Sequence, residues 1–104
     1  MAVRNVRKKP VVIRVCGPWD GTHRSLDELS GFTGGRFRRV PQRGLQAEQG
    51  ITAEVYDYLH DTWVGVKDGQ SILEGTRGEY YPIDAQTLAE TYDDVESPDS
   101  LDVP

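Results

Sequence analysis

A chain of 104 residues with a formal net charge of −5 has room for one domain and one core, and it contains no apolar run approaching the ~20 residues that span a bilayer. Its one cysteine, Cys16, cannot close an internal disulfide, which excludes a disulfide-stapled scaffold and fits a reducing compartment. The charge is divided along the chain: residues 1–43 hold ten Lys and Arg against three acids, a net of +7, and residues 44–104 hold two against fourteen, a net of −12. That division either offers a basic face to an anion or lets the two halves pair, within the fold or between subunits.

Residues 1–8 are basic and lack periodicity, and no apolar stretch follows them. They are read as a flexible arm, with no secretory signal expected. Pro10 to Cys16 is rich in β-branched residues and stops at Gly17-Pro18, which predicts a central strand, apolar on both faces apart from Arg14, with Cys16 as a packing residue. Trp19-Asp20-Gly21-Thr22 is a turn. Ser25-Leu26-Asp27-Glu28 has the spacing of a capping box, and Leu26, Leu29 and Phe32 share a helical face that Gly34-Gly35 ends, so a helix is expected over 25–33. Arg36 to Val40 reads as an edge strand blunted by its charges, and 41–50 as a surface loop.

Alternation over Ile51 to Lys67, broken at His60-Asp61-Thr62, predicts an antiparallel hairpin. Ser71 to Gly75 and Glu79 to Ile83 are two more strands around a Thr76-Arg77-Gly78 turn. Asp84 is placed to cap a helix carrying Ala85, Leu88, Ala89 and Tyr92 on one face, which should cover the sheet. From Asp93 onward there are acids and prolines and no bases, the composition of a disordered tail. The expected architecture is therefore α+β: a small, mostly antiparallel sheet of about five strands with two short helices packed on it. It spans a single domain over 9–92, flanked by the arm (1–8) and the acidic tail (93–104).

Several pieces of this pattern stand together: Lys9-Pro10-Val11-Val12-Ile13 with Trp19-Asp20-Gly21; Thr33-Gly34-Gly35-Arg36-Phe37; and Gly69 to Ile83, closing with Ala89-Glu90-Thr91-Tyr92. Over roughly residues 8–93 the chain resembles a family of small tailed-phage accessory proteins whose C-terminal half reads approximately G-D-W-I-x-x-G-x-x-G-E-F/Y-Y-P. The Gly-x-x-Gly-Glu-Tyr-Tyr-Pro block is the most specific part, and Gln70-Ser71 departs from the pattern. The resemblance implies a phage-encoded protein of the host cytoplasm; the family supplies no established activity, so no catalytic residue is carried over from it.

The residues themselves point the same way. His23 and His60 lie in predicted turns, and one cysteine with two separated histidines lacks the four ligands of a structural zinc site. Asp57 and Asp61 flank the hairpin tip, where aspartate commonly shapes turns. No catalytic set, metal site or cofactor is expected. The candidate binding residues are Arg36, Arg38 and Arg39 of the basic run, with Arg77, Glu79 and Tyr80 of the glycine-flanked turn, where backbone amides and a guanidinium could cradle a phosphate or simply form a hairpin. The leading expectation is a non-enzymatic accessory protein that binds a host or phage protein and modulates host physiology or defence. The alternatives are a binder of a small anionic ligand such as a nucleotide, using Arg36, Arg38 and Arg77, and a DNA mimic or nucleic-acid-associated protein, against which the pI of about 4.9 counts. No membrane partner is expected, and self-pairing through the Arg36–Val40 edge would give a homo-oligomer.

Overall fold

The computed structural model describes residues 2–7, 11–41 and 43–95. Its fold is α+β, built from two three-stranded antiparallel sheets and three short helices. Strands β1 (Arg14–Cys16), β5 (Ser71–Glu74) and β6 (Tyr80–Ile83) form one sheet in the order β1-β5-β6. Strands β2 (Phe37–Arg39), β3 (Ile51–Asp57) and β4 (Thr62–Lys67) form the other in the order β2-β3-β4. Six strands in two sheets thus replace the single sheet of about five. The hairpin of β3 and β4 and that of β5 and β6 are the elements the alternation predicts, paired Val55 to Val64 and Leu73 to Tyr81.

The N-terminal strand is shorter than expected and lies at a sheet edge, not at its centre. Only 14–16 pair, with β5, and Val11, Val12 and Val15 remain exposed. A run of valines carries no signal that separates a strand buried on both faces from an edge whose outer flank is open. The second edge is read correctly, since β2 ends its sheet and carries Arg38 and Arg39 toward solvent.

Helix α1 (His23–Phe32) begins two residues before the expected start. Its N-cap is Thr22, whose hydroxyl accepts the Ser25 N–H at 3.1 Å. Ser25 is therefore not the cap: it is buried, its hydroxyl donating to the Pro18 carbonyl and accepting the Asp20 N–H, both at 3.3 Å. At the other end Thr33 is fully buried, donating to the Leu29 carbonyl at 2.9 Å and accepting the Arg36 N–H at 3.1 Å, so one hydroxyl closes the helix and opens the turn into β2. Gly34 (φ 64°) and Gly35 (φ 87°) supply the left-handed backbone this reversal needs.

A five-residue helix, α2 (Gly44–Glu48), occupies the expected loop. It has no side-chain cap and buries no residue, so it left no apolar period to read. Helix α3 (Ala85–Thr91) has Asp84 at its N-cap, but the carboxylate accepts the Gln70 side-chain N–H at 3.0 Å and not a helix amide. No residue of α3 is fully buried; Leu88 and, at the C-cap, Tyr92 are half-buried. The expected tail begins at 93, and most of it, residues 96–104, lies outside the described residues, as do Met1 and Lys8 of the expected arm.

One core joins the sheets: Trp19, Leu29, Phe37, Ala53, Val55, Val66, Ile72 and Tyr80, with Cys16, Leu26, Phe32 and Val64 packed against it. Trp19 is its centre and is only 1% exposed. Its indole N–H donates to the Thr52 hydroxyl of β3 at 2.7 Å, and that hydroxyl donates on to Asp68 at 2.5 Å. Its main chain is held by Gln70 O and Gly69 N, at 2.8 and 2.7 Å, and its ring meets Phe37 edge-on at 5.2 Å. This residue pins the loop after β1 to both sheets.

Candidate interaction surface

Strand alternation divides the β2-β3-β4 sheet. Phe37, Ala53, Val55, Val64 and Val66 face the core, and the pairs Arg38 with Glu54 and Tyr56 with Trp63 face outward. On that outer face the side chains form a row. The Arg38 guanidinium donates to Glu54 Oε1 from Nε (3.0 Å) and Nη2 (2.9 Å), and it stacks over the Trp63 ring with its carbon 3.7 Å from the centroid. Trp63 in turn leans on Tyr56, with centroids 5.4 Å apart. The Tyr56 hydroxyl donates to Asp61, and that bond, first among its causes, raises the phenol pKa. Gln46 of α2 donates to the second Glu54 oxygen at 3.0 Å. The carboxylate between Arg38 and Gln46 holds the guanidinium flat on the indole, the geometry in which a cation gains most from an aromatic face.

The remaining predicted residues divide. Arg36 immediately precedes β2; its carbonyl accepts the Tyr56 N–H at 2.8 Å, and its charge works to lower the phenol pKa values of both Tyr56 and Tyr80. Arg39 projects from the opposite face of β2, still exposed, donating to the Gly21 carbonyl at 3.0 Å over the Trp19 ring. It is a structural residue. Tyr80, 8% exposed, belongs to the core; its hydroxyl donates to Glu74 at 3.3 Å, its ring meets Phe32 edge-on, and burial raises its pKa. That Glu74 is lowered by the Arg14 guanidinium, which binds it through two hydrogen bonds of 2.9 and 2.7 Å.

Arg77 and Glu79 form the β5–β6 turn, and their relation differs from a side-chain ion pair. The Glu79 carboxylate accepts the Arg77 main-chain N–H at 3.0 Å, while Gly75 N–H donates to Glu79 O at 2.7 Å and Gly78 N–H to Gly75 O at 3.0 Å. The amides that would cradle a phosphate are already taken, one of them by an anion of the chain itself. Gly75 is required for that closure, since a Cβ there would fall 1.7 Å from Glu79 Oε1. The Tyr58 hydroxyl donates to the Arg77 carbonyl, tying this turn to the β3–β4 hairpin.

At that hairpin tip Asp57 serves the turn: it accepts the Leu59 N–H at 3.0 Å and sits 2.7 Å from the exposed His60 ring, whose hydrogen bond lowers the carboxyl pKa. His23 is exposed, 3.8 Å from Asp27. Cys16 is half-buried beside the Glu28 carbonyl, and burial pushes its thiol pKa up. Among the described residues no three His, Cys, Asp or Glu gather as metal ligands, and no helix is long and apolar enough to cross a membrane.

The structure thus gathers Arg36, Arg38, Tyr56 and Trp63 on or beside one face, places Arg77 at the neighbouring turn, sets the exposed Arg39 on the opposite face of β2 beside Trp19, and buries Tyr80 in the core. Trp63 is the member sequence reasoning passes over; the signal for it is the alternation, which puts Tyr56 and Trp63 on the polar-facing phase of their strands. Comparison with protein-family models, with curated proteins and with solved structures gives no match to this chain.

Proposed function

We propose that this chain is a non-enzymatic, phage-encoded accessory protein that binds a host or phage protein in the host cytoplasm through the outer face of the β2-β3-β4 sheet. The observation that carries the binding role is the Arg38–Trp63–Tyr56 row on a solvent-facing sheet. Arginine, tryptophan and tyrosine dominate the energetic centres of protein interfaces, and here they are pre-ordered by Glu54, so little side-chain freedom is lost on docking. Phage origin is supported by the resemblance of the Gly75–Ile83 block. The partner would be a protein with acidic groups able to reach Arg36 beside the row. Affinity capture from host lysate with the wild type and with Arg38→Glu tests it: a stoichiometric partner retained by the first and lost by the folded second is expected, and an identical set of captured proteins would sink the proposal.

A second reading, a binder of small anions, rests on Arg36 and Arg77, whose guanidinium groups have no ion-pair partner among the described residues. The carboxylate of Glu79 stands against it at the turn. Calorimetry against a nucleotide panel separates the two: heat abolished by Arg77→Ala supports the anion site, and no heat removes it.

A further inference from the structure

The strand β1 is the least guarded edge of this fold. Among the described residues it pairs only with β5, leaving its other flank open. The remaining sheet edges carry deterrents: β2 keeps Arg39 exposed and without an ion pair among the described residues, β4 ends in Lys67, and β6 contains Pro82. By contrast Val11 (53% exposed), Val12 and Val15 (42%) line the open side of β1 and its lead-in. Its one charge, Arg14, is already neutralised by two hydrogen bonds to Glu74 in the same sheet.

We propose that two copies of this chain pair antiparallel along residues 11–15, joining two β1-β5-β6 sheets into one six-stranded sheet. The inference is independent of the binding role above. Self-pairing is favoured by the segment itself, Val11-Val12-Ile13-Arg14-Val15. About a two-fold axis at Ile13, Val11 meets Val15 of the partner subunit and Val12 meets the aliphatic stem of Arg14 of the partner subunit, so β-branched residues face each other and neither copy brings net charge to the seam. Proline bounds the window on both sides, at Pro10 and Pro18, neither of which can donate to a ladder. Five residues is an ordinary strand length, and pairing would extend β1 back to Val11. The arginine-rich β2 edge, expected from sequence as the self-pairing strand, stays free, and each dimer presents two Arg38–Trp63 faces.

Sedimentation of the full chain over a concentration series tests this. The expected mass is twice the 11.7 kDa of the chain at high concentration. Val15→Lys should weaken the dimer at least tenfold with an unchanged circular dichroism spectrum, and Leu45→Lys, at an exposed site on α2, should leave it intact. Should Val15→Lys disturb folding, Val11→Lys ahead of the strand gives the same readout. Amide exchange at 11–15 should slow with concentration in the wild type alone. A monomer at every concentration, including one that captures an added extended peptide of other sequence, overturns the proposal, as does a dimer insensitive to both lysine variants.

Discussion

Replacing Thr52 by valine should destabilise the protein through a residue it barely resembles, Trp19. The swap keeps the volume and removes the hydroxyl that accepts the indole N–H at 2.7 Å and donates to Asp68. Asp68 is exposed and regains water. Trp19 is 1% exposed and cannot, so its N–H is stranded, at a cost of about 1–3 kcal/mol. Trp19→Phe removes the donor and should cost less than the about 3–5 kcal/mol typical of truncating a tryptophan to alanine. In that background Thr52→Val has no donor to strand and should cost under about 0.5 kcal/mol. The coupling between the two sites is then about 1–2 kcal/mol. Urea unfolding followed by far-UV circular dichroism, which does not depend on the tryptophan, reads it directly. With a slope of about 1–3 kcal/mol per M, Thr52→Val should lower the wild-type midpoint by about 1 M and leave the Trp19→Phe midpoint nearly fixed. Equal shifts in both backgrounds would refute the claim that this hydrogen bond joins the loop after β1 to β3.

Acid sensitivity should depend partly on Glu74. Arg14 holds its carboxyl below the ordinary 4.5, so its stabilisation is complete above that value and is lost as pH falls through the lower, folded-state value. Thermal melts from pH 7 to 2.5 should show a Glu74→Gln variant that is less stable at neutrality and flatter in acid, modestly so because Arg14 is largely exposed; superimposable acid limbs would contradict this. Gly75→Ala should expel the Glu79 carboxylate from the turn and cost about 1 kcal/mol, the worth of its bond to the Arg77 amide, while costing nearly nothing in a Glu79→Ala background; chemical denaturation of the four proteins decides.

The hairpins are legible because both their strands and their turns carry local signals: alternation across Ala53 to Leu59, His60-Asp61-Thr62 at the first reversal, two glycines around Arg77 at the second. What sequence could not supply was the assignment of flanks. Nothing in Val11 to Cys16 says that its outer side is open, and nothing in 51–83 says that two hairpins belong to different sheets, since each hairpin satisfies its own pairing and only tertiary packing sets their relation. Ser25 misled for a physical reason. Its spacing from Glu28 fits a cap, but Thr22 lies three residues earlier with its hydroxyl oriented by Asp20 at 2.6 Å, and it captures the same helix end. The arginine run is legible as a cluster but not as one surface, because alternation sends Arg38 to the outer face while Arg39, also exposed, lies on the other face beside the Trp19 ring.

The charge division of the sequence acquires a specific meaning in the fold. Two ion pairs join the halves, Arg14 with Glu74 and Arg38 with Glu54, each across neighbouring antiparallel strands, and a third cation, Arg24, is matched within α1 by Glu28. At Arg14 and Arg38 the basic N-terminal half is thereby matched across strands by the acidic C-terminal half, so at these two positions the separation along the chain does not become a separation in space. A broad polyanion surface is disfavoured for the same reason: Arg14 and Arg38 are already paired, and Arg39 lies on the opposite face of β2 from Arg38, engaged with Gly21 and Trp19. What marks the outer face of the β2-β3-β4 sheet is a guanidinium stacked on an indole, selective in shape more than in charge. A protein partner can match such a feature by contour and a few acidic groups, whereas a nucleotide would have to compete with Glu54 for the Arg38 guanidinium and with Glu79 for the Arg77 amide.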